Sequence, residues 1–239
     1  MDISRGEKVC IIGPNGGGKS TLLKILAGLL YPQDGVFKAF GEEINEKLFL
    51  NDRFSKSYHR KVGFIFQDSD VQLFCSTVKE EIAFGPLQFS MSRDDVMQRV
   101  DDVLDLLDIQ HLKDKPPFRL SGGEKKKVAI ASVLVLNPSV LILDEPTNGL
   151  DPKSQRWFVN MLLALNDNGT TLIISTHNLP LVELLSDRTI VIGQNHRVME
   201  DSTTSRVLGD VSLLKKANLV DEYYNESSPI KGTRYLTHD

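Results

Sequence analysis

The sequence predicts an α/β protein with a mainly parallel sheet and an inserted helical block, on three observations. Short, continuously apolar runs such as Val9-Cys10-Ile11-Ile12, Val140-Leu141-Ile142-Leu143 and Thr171-Leu172-Ile173-Ile174 read as buried strands. Stretches with apolar residues at helical spacing alternate with these runs, as in strand–helix units. From about Ser76 to about Leu136 the strand runs stop and helical patterns follow one another, which marks the insertion.

The first run ends at Gly13-Pro14-Asn15-Gly16-Gly17-Gly18-Lys19-Ser20, and Thr21 to Ala27 then has helical spacing. A glycine loop between a strand and a helix is the setting in which successive backbone N–H groups curl inward around phosphate, aided by the positive end of the helix. Lys19 would reach the β- and γ-phosphates, and the Ser20 hydroxyl would serve Mg²⁺, with Thr21 as a second candidate. A chance match to this pattern in a chain of such length has a probability of roughly one percent. The competing reading is a glycine-rich turn with a purely structural role.

Further along, Gly35 to Gly41 has near-alternating apolar residues and suits an edge strand, while the polar stretch from Glu42 to Arg60 reads as loop. Lys61 to Phe66 is another buried-strand candidate and ends at Gln67, placed where ligands gather in open α/β sheets; the alternative is a residue that simply starts a loop. Thr77 can cap a short helix, and Ser92-Arg-Asp-Asp95 resembles a capping box ahead of a face made by Val96, Val100, Val103, Leu104 and Leu107. Pro116-Pro117 closes that block. Leu120-Ser121-Gly122-Gly123-Glu124 then opens a helix to about Leu136, and its amides could donate to an anion.

The run from Val140 delivers two adjacent carboxylates, Asp144 and Glu145. Asp144 could hold Mg²⁺, and Glu145 could orient and deprotonate a water attacking a γ-phosphate; an acidic start to a following helix is the alternative. Asp151-Pro152 looks like an N-cap with proline at the first helical position, in a helix that Asn168-Gly169 ends. The next buried strand delivers Thr176-His177, where the histidine would face the γ-phosphate; a structural or surface histidine is the alternative. Thr189 to Gly193 and His196 to Glu200 suit a closing hairpin. Two short helices are expected at Ser202 to Leu208 and Val211 to Ala217, and the polar tail from Asp221 to Asp239 reads as loose.

With 28 Lys and Arg against 32 Asp and Glu, the net charge is −4 over 239 residues, which argues against nucleic acid as the main partner. The most apolar stretches are broken by Lys24 and by Asn137-Pro138, too short to span a bilayer. Cys10 and Cys75 lack metal-ligand spacing and are expected to be free thiols in a reducing cytosol. The start, Met1-Asp-Ile-Ser-Arg-Gly-Glu, has no apolar signal region, which predicts a cytoplasmic protein.

In content, order and spacing, Gly13 to Thr21, Gln67, Leu120 to Glu124, Val140 to Glu145, Asn148-Gly-Leu-Asp151 and Ser175-Thr-His177 resemble the ATP-binding cassette family, and the match covers most of the chain. The resemblance implies a P-loop NTPase core at residues 1–67 and 137–239 with an α-helical subdomain at 68–136 that carries the signature motif. It implies ATP and Mg²⁺ as cofactors. Gly13 to Thr21 would bind phosphate; Gln67 and Asp144 would serve the metal with Ser20; Gln67, Glu145 and His177 would be catalytic. It further implies a head-to-tail dimer, identical or not, in which Ser121 and Gly123 of one subunit cap the nucleotide held by Gly13 to Ser20 of the other, with Gly122 and Asp151 as further nucleotide-binding residues. Gln67-Asp-Ser-Asp-Val-Gln72-Leu-Phe74, Thr77-Val78 and Glu81-Ile-Ala-Phe-Gly-Pro86 are similar to the ATPase subunits of cobalt, nickel and energy-coupling-factor vitamin importers. That similarity implies an integral membrane transporter subunit as partner and a place on the inner face of the cell membrane.

The sequence departs from the family pattern in places. Ser69 stands where proline is usual, Glu124 where glutamine is usual, and Lys127 where arginine is usual, so Lys127 loses a bidentate fork. Family members usually carry about two further strands ahead of Ile3, with an aromatic that stacks on adenine. A missing stacking contact is worth about 1 to 3 kcal/mol, so weak, base-tolerant nucleotide binding is expected if the start at Met1 is native; a misplaced start codon is the alternative. A non-transport cassette ATPase of chromosomes, ribosomes or cluster assembly is the alternative function. No sustained heptads lie between Thr21 and Leu120, and the chain holds one cassette. A GTP switch or small-molecule kinase lacks support from Ser121 and His177.

Overall fold

A computed structural model describes residues 1–68, 71–89 and 91–220, and the chain divides into two compact units. Ser69 and the tail from Asp221 lie outside the described residues. The strands are β1 (Lys8–Ile12), β2 (Lys38–Ala39), β3 (Glu42–Glu43), β4 (Val62–Ile65), β5 (Val140–Asp144), β6 (Thr171–Ser175), β7 (Arg188–Ile192) and β8 (Val198–Thr203). The helices are α1 (Lys19–Leu26), α2 (Glu46–Phe49), α3 (Asp52–Lys61), α4 (Val78–Leu87), α5 (Arg93–Leu106), α6 (Gly122–Leu134), α7 (Pro152–Asp167), α8 (Leu179–Leu185), α9 (Thr204–Gly209) and α10 (Val211–Lys216).

The first unit comprises Met1–Leu23, Leu143–Thr147 and the chain from Asp151 onward. Its strands follow the order β5, β6, β1, β7, β8. β1 lies between β6 and β7 and runs parallel to both, with Cys10 level with Ile174 and Thr189. Val9 to Ile12 are fully buried, which explains the unbroken apolar run in place of an alternating one. Phe158 and Leu162 of α7 and Val182 and Leu185 of α8 are also fully buried, and these helices pack on β6 and β1. Each such side chain contributes about 1.5–3 kcal/mol through the hydrophobic effect. The expected hairpin is present, with β8 antiparallel to β7. The architecture is α/β with a mainly parallel sheet, as predicted.

The second unit comprises Lys24–Ile142 with Asn148–Leu150. Here β4 is the neighbour of β5, and α4, α5 and α6 pack on one another. Thr77 and Glu80 form a full capping box on α4, and Ser92 caps α5. The predicted face of α5 is inside, with Val96, Val100, Leu104 and Leu107 fully buried. Two buried charges hold the connection from β4 to α4. Lys126 of α6, 3% exposed, donates to Phe66 O at 3.0 Å and Gln67 O at 3.2 Å. Glu81 of α4 accepts from the amides of Phe74 and Cys75 at 2.8 and 2.7 Å. Lys127 donates to Leu107 O at 3.0 Å, a single carbonyl past the last turn of α5 that a point charge serves without a fork.

Two expectations need correction. The stretch from Glu42 to Arg60, predicted as loop, holds β3, α2 and α3. Asn45 and Asn51 cap the two helices, and Phe49, Phe54 and Tyr58 form an aromatic cluster in which the Tyr58 hydroxyl donates to Leu26 O at 2.7 Å. Aromatic rings spaced four or five apart carry the burial, while the charged residues between them hide the helical pattern. The strand predicted at Gly35 to Gly41 shrinks to the two residues of β2, paired with β3; Val36 and Phe40 are exposed, so no buried face extends it. Both cysteines are free: burial pushes the Cys10 thiol up to about 12, and burial with the charge of Glu81 pushes Cys75 to about 11. Neither is a thiolate at neutral pH.

Candidate functional site

In the first unit the phosphate loop leaves β1 at Gly13, where a Cβ would collide with the carbonyl oxygen of Ile192 on β7, so only glycine fits. The amide of Gly17 donates to Pro14 O at 3.1 Å, and Gly18 sits in the left-handed region at φ 96°. α1 then begins, with Leu22 N bonded to Gly18 O at 2.9 Å. Lys19 is buried, and its ammonium donates to Gly13 O and Pro14 O at 2.9 and 3.1 Å. Ser20 is half-buried, and Asn15, Gly16 and Thr21 are exposed. His196, at the tip of the β7–β8 hairpin with φ 60°, brings Nδ1 to 3.5 Å from the position a Cβ on Gly18 would take. The sequence reading gave it no role; its signal is a residue other than glycine in a tight hairpin turn.

The ends of β5 and β6 meet beside one another. Ser175 Oγ donates to Asp144 Oδ1, and the Glu145 amide donates to Ser175 O at 2.9 Å. Asp144 and Glu145 are 6% and 7% exposed. Glu145 turns out of the strand in the left-handed region at φ 45°, a conformation that costs about 1 kcal/mol or more for a residue with a side chain. Its Oε1 is 2.8 Å from His177 Nδ1, whose side chain is 58% exposed. Its Oε2 is buried without a hydrogen-bond partner. With Glu145 ionised, Nδ1–H of the histidine donates, which fixes one carboxylate oxygen and leaves the other open to accept. Asp151 caps α7 through Lys153 N at 2.9 Å and Ser154 N at 3.1 Å, and the Ser154 hydroxyl is the first cause holding its carboxyl below the usual range.

In the second unit Gln67 is exposed at the end of the segment pinned by Lys126. At the start of α6 both the amide and the hydroxyl of Ser121 donate to Glu124 Oε2, at 2.8 and 2.7 Å. These bonds, hydroxyl first, hold the Glu124 carboxyl below its ordinary value. Ser121 and Gly122 are exposed, and a Cβ at Gly122 or Gly123 would meet no neighbour. The structure thus brings together Glu145 with His177, Asp144 with Ser175, and Lys19 with its own loop, while Ser121 is engaged with Glu124. The Ser175 hydroxyl was named within a motif but given no role by the sequence, because its partner lies 31 residues away.

A glycine cradle between strand and helix, with an acidic pair and a histidine at neighbouring strand ends, defines a P-loop hydrolase of nucleoside triphosphates. A family profile described as ABC transporter matches residues 1–148, and the chain belongs to that family. It is 42% identical over 203 residues to the nickel import ATP-binding protein LarO of Lactiplantibacillus plantarum, covering 85% of this chain and 84% of that protein. The structure of CbiO1 from Clostridium perfringens, part of the ABC transporter complex CbiONQ, superposes with a TM-score of 0.77 at 38% identity, covering 92% of this chain and 86% of that one. A dimeric ATP-binding cassette in a post-hydrolysis state bound to ADP and Pi matches with a TM-score of 0.77 at 28% identity, over 85% and 88% of the two chains. The chain is an ATPase of the ATP-binding cassette type, similar to importer ATPases.

Proposed function

We propose that this chain hydrolyses ATP in a head-to-tail cassette dimer and drives import of a metal ion or vitamin through an integral membrane partner. One observation carries the chemistry: a buried carboxylate, Glu145, with one oxygen held by His177 and the other unpartnered. Glu145 Oε2 takes a proton from the attacking water as the water oxygen bonds to the γ-phosphorus, and ADP leaves. His177 keeps the carboxylate in place, and the backbone amides of the loop with Lys19 hold the phosphates. Ser20 and Asp144 are hard oxygen donors that suit Mg²⁺, with Gln67 as a further oxygen donor, and Ser175 fixes the Asp144 carboxylate. Bound there, Mg²⁺ would neutralise charge on the β- and γ-oxygens.

In this proposal residues 1–67 and 137–239 form the nucleotide-binding core, and 68–136 the helical subdomain whose Ser121 and Gly123 cap the nucleotide of the second subunit, with Gly122 and Asp151 as further nucleotide-binding residues. No helix among the described residues is long and apolar enough to cross a membrane, and the proposal assigns the transport path to the partner. Similarity to a nickel import ATP-binding protein supports a metal ion as cargo, and similarity to part of an ABC transporter complex supports a peripheral position on the inner membrane face. The test is purification of the tagged chain from membranes of its own cells. An integral membrane protein retained stoichiometrically through washing and released by detergent is the expected result. Recovery with soluble chromosomal or ribosomal proteins alone would overturn the importer reading.

A further inference from the structure

We propose that a basic cavity in the second unit, at the C-terminal end of α3, is a binding site for a phosphomonoester group. The cavity has a volume of about 350 Å³ and is lined by Arg60, Lys61 and Arg99 together with Ser57, Asn137 and Ser139. Leu136 supplies apolar wall. Arg60 and Lys61 end α3, Arg99 comes from the middle of α5, and residues 136–139 form the turn between α6 and β5. The lining therefore offers three cations and three neutral hydrogen-bonding side chains, without a carboxylate.

Cations often gather at helix C-termini for reasons unrelated to ligands, and two such ends, of α3 and α6, meet here. The magnitudes do not match. Two helix ends carry about one negative charge between them, against three full positive charges, so about two remain unbalanced. The bond from Arg99 Nη1 to Val135 O is long at 3.4 Å. The two α5 carboxylates on the face of Arg99, four residues before it and three after it, are engaged elsewhere. On α5, Asp95 accepts from Ser92 Oγ at 2.7 Å and Asp102 from Gln98 Nε2 at 2.8 Å. On α3, Asp52 pairs with Lys56 at 2.9 Å. Among the described residues none of the three cations forms an ion pair with a carboxylate. Arg60 lies 5.8 Å from the Phe89 ring centroid and Lys61 5.0 Å from that of Phe40, contacts that steady the side chains without neutralising them.

A phosphomonoester brings about −1.5 to −2 charges at pH 7, which matches the surplus, and its oxygens suit the forked guanidinium donors. The volume admits the phosphate and the first atoms of whatever bears it. Two carriers share this chemistry: a soluble phosphorylated metabolite and a lipid headgroup of the phosphatidic acid kind.

Calorimetric titration with glycerol 3-phosphate tests the soluble carrier, and co-flotation with phosphatidylcholine vesicles with or without phosphatidic acid tests the lipid. Wild type, Arg60→Gln, Arg99→Gln and Lys19→Ala are compared, with circular dichroism as the folding check; Arg60 is exposed, so its variant isolates charge if Arg99→Gln misfolds. Expected is saturable binding in one arm or both that weakens by at least about tenfold in the Arg60 and Arg99 variants and is untouched in Lys19→Ala. The responsive arm names the carrier. Binding that disappears in Lys19→Ala and persists in the arginine variants would assign the anion to the phosphate loop and overturn the proposal. So would no binding in either arm, or binding indifferent to all three substitutions.

Discussion

Two glutamates stand at the nucleotide motifs of this chain, and their surroundings are opposite. Glu145 is buried, bent into the left-handed region, and has one carboxylate oxygen without a partner. Glu124 is partly exposed, and its Oε2 receives both the amide and the hydroxyl of Ser121 in a capping box. An unpartnered buried oxygen costs stability and persists where a ligand or a proton is to be received. A satisfied, exposed one contributes helix stability and leaves Ser121 committed to its own subunit. Under the proposed function, the difference separates a residue placed for chemistry from a turn that would have to exchange an internal hydrogen bond before gripping phosphate.

The largest expected effect is on the first of the two. Glu145→Gln should lower steady-state ATP turnover by about 10²- to 10⁴-fold while ATP binding survives, read by phosphate release and by a binding titration. Near-normal turnover would break the contrast at once. Ser175→Ala strips Asp144 of its buried donor and should destabilise the protein by about 1–3 kcal/mol in urea unfolding, with a rise in the Mg²⁺ concentration needed for half-maximal turnover. On the other side, Ser121→Ala removes an N-cap and should cost about 1 kcal/mol of stability by the same measurement.

The smallest effect is expected at Glu124. Its carboxyl is held below the ordinary range in the folded protein. It therefore adds stability above the unfolded value of about 4.3, and loses that contribution as pH falls from there through the folded value. Glu124→Gln keeps the box geometry, so the urea midpoint should be nearly unchanged at pH 7 and should lose a small part of its acid sensitivity below about pH 4.5; water screens the effect at this exposed site. An equal loss of midpoint at pH 7 and pH 4 would show that charge plays no part in the cap.

The contrast also marks what the sequence can carry. β1, β5 and β6 were legible because strands buried on both faces leave unbroken apolar runs, and the cradle was legible because its glycines are contiguous. Strand-end positions such as Glu145 and His177 could be named, but the bond between them could not, since 32 residues separate the partners. α2 and α3 were hidden because their buried faces are aromatic and interleaved with charge, and the basic cavity at the end of α3 was hidden with them. The commitment of Ser121 to Glu124 is local, three residues apart, and is written in the capping-box pattern.

The claim that Glu145 is the base can be tested in a single turnover. Glu145→Gln protein is mixed with Mg²⁺ and γ-labelled ATP at one equivalent per site, and the retained nucleotide is identified after the wild type has completed its turnover. Intact ATP held in a stable dimer is the expected outcome. ADP formed at the wild-type rate would contradict it.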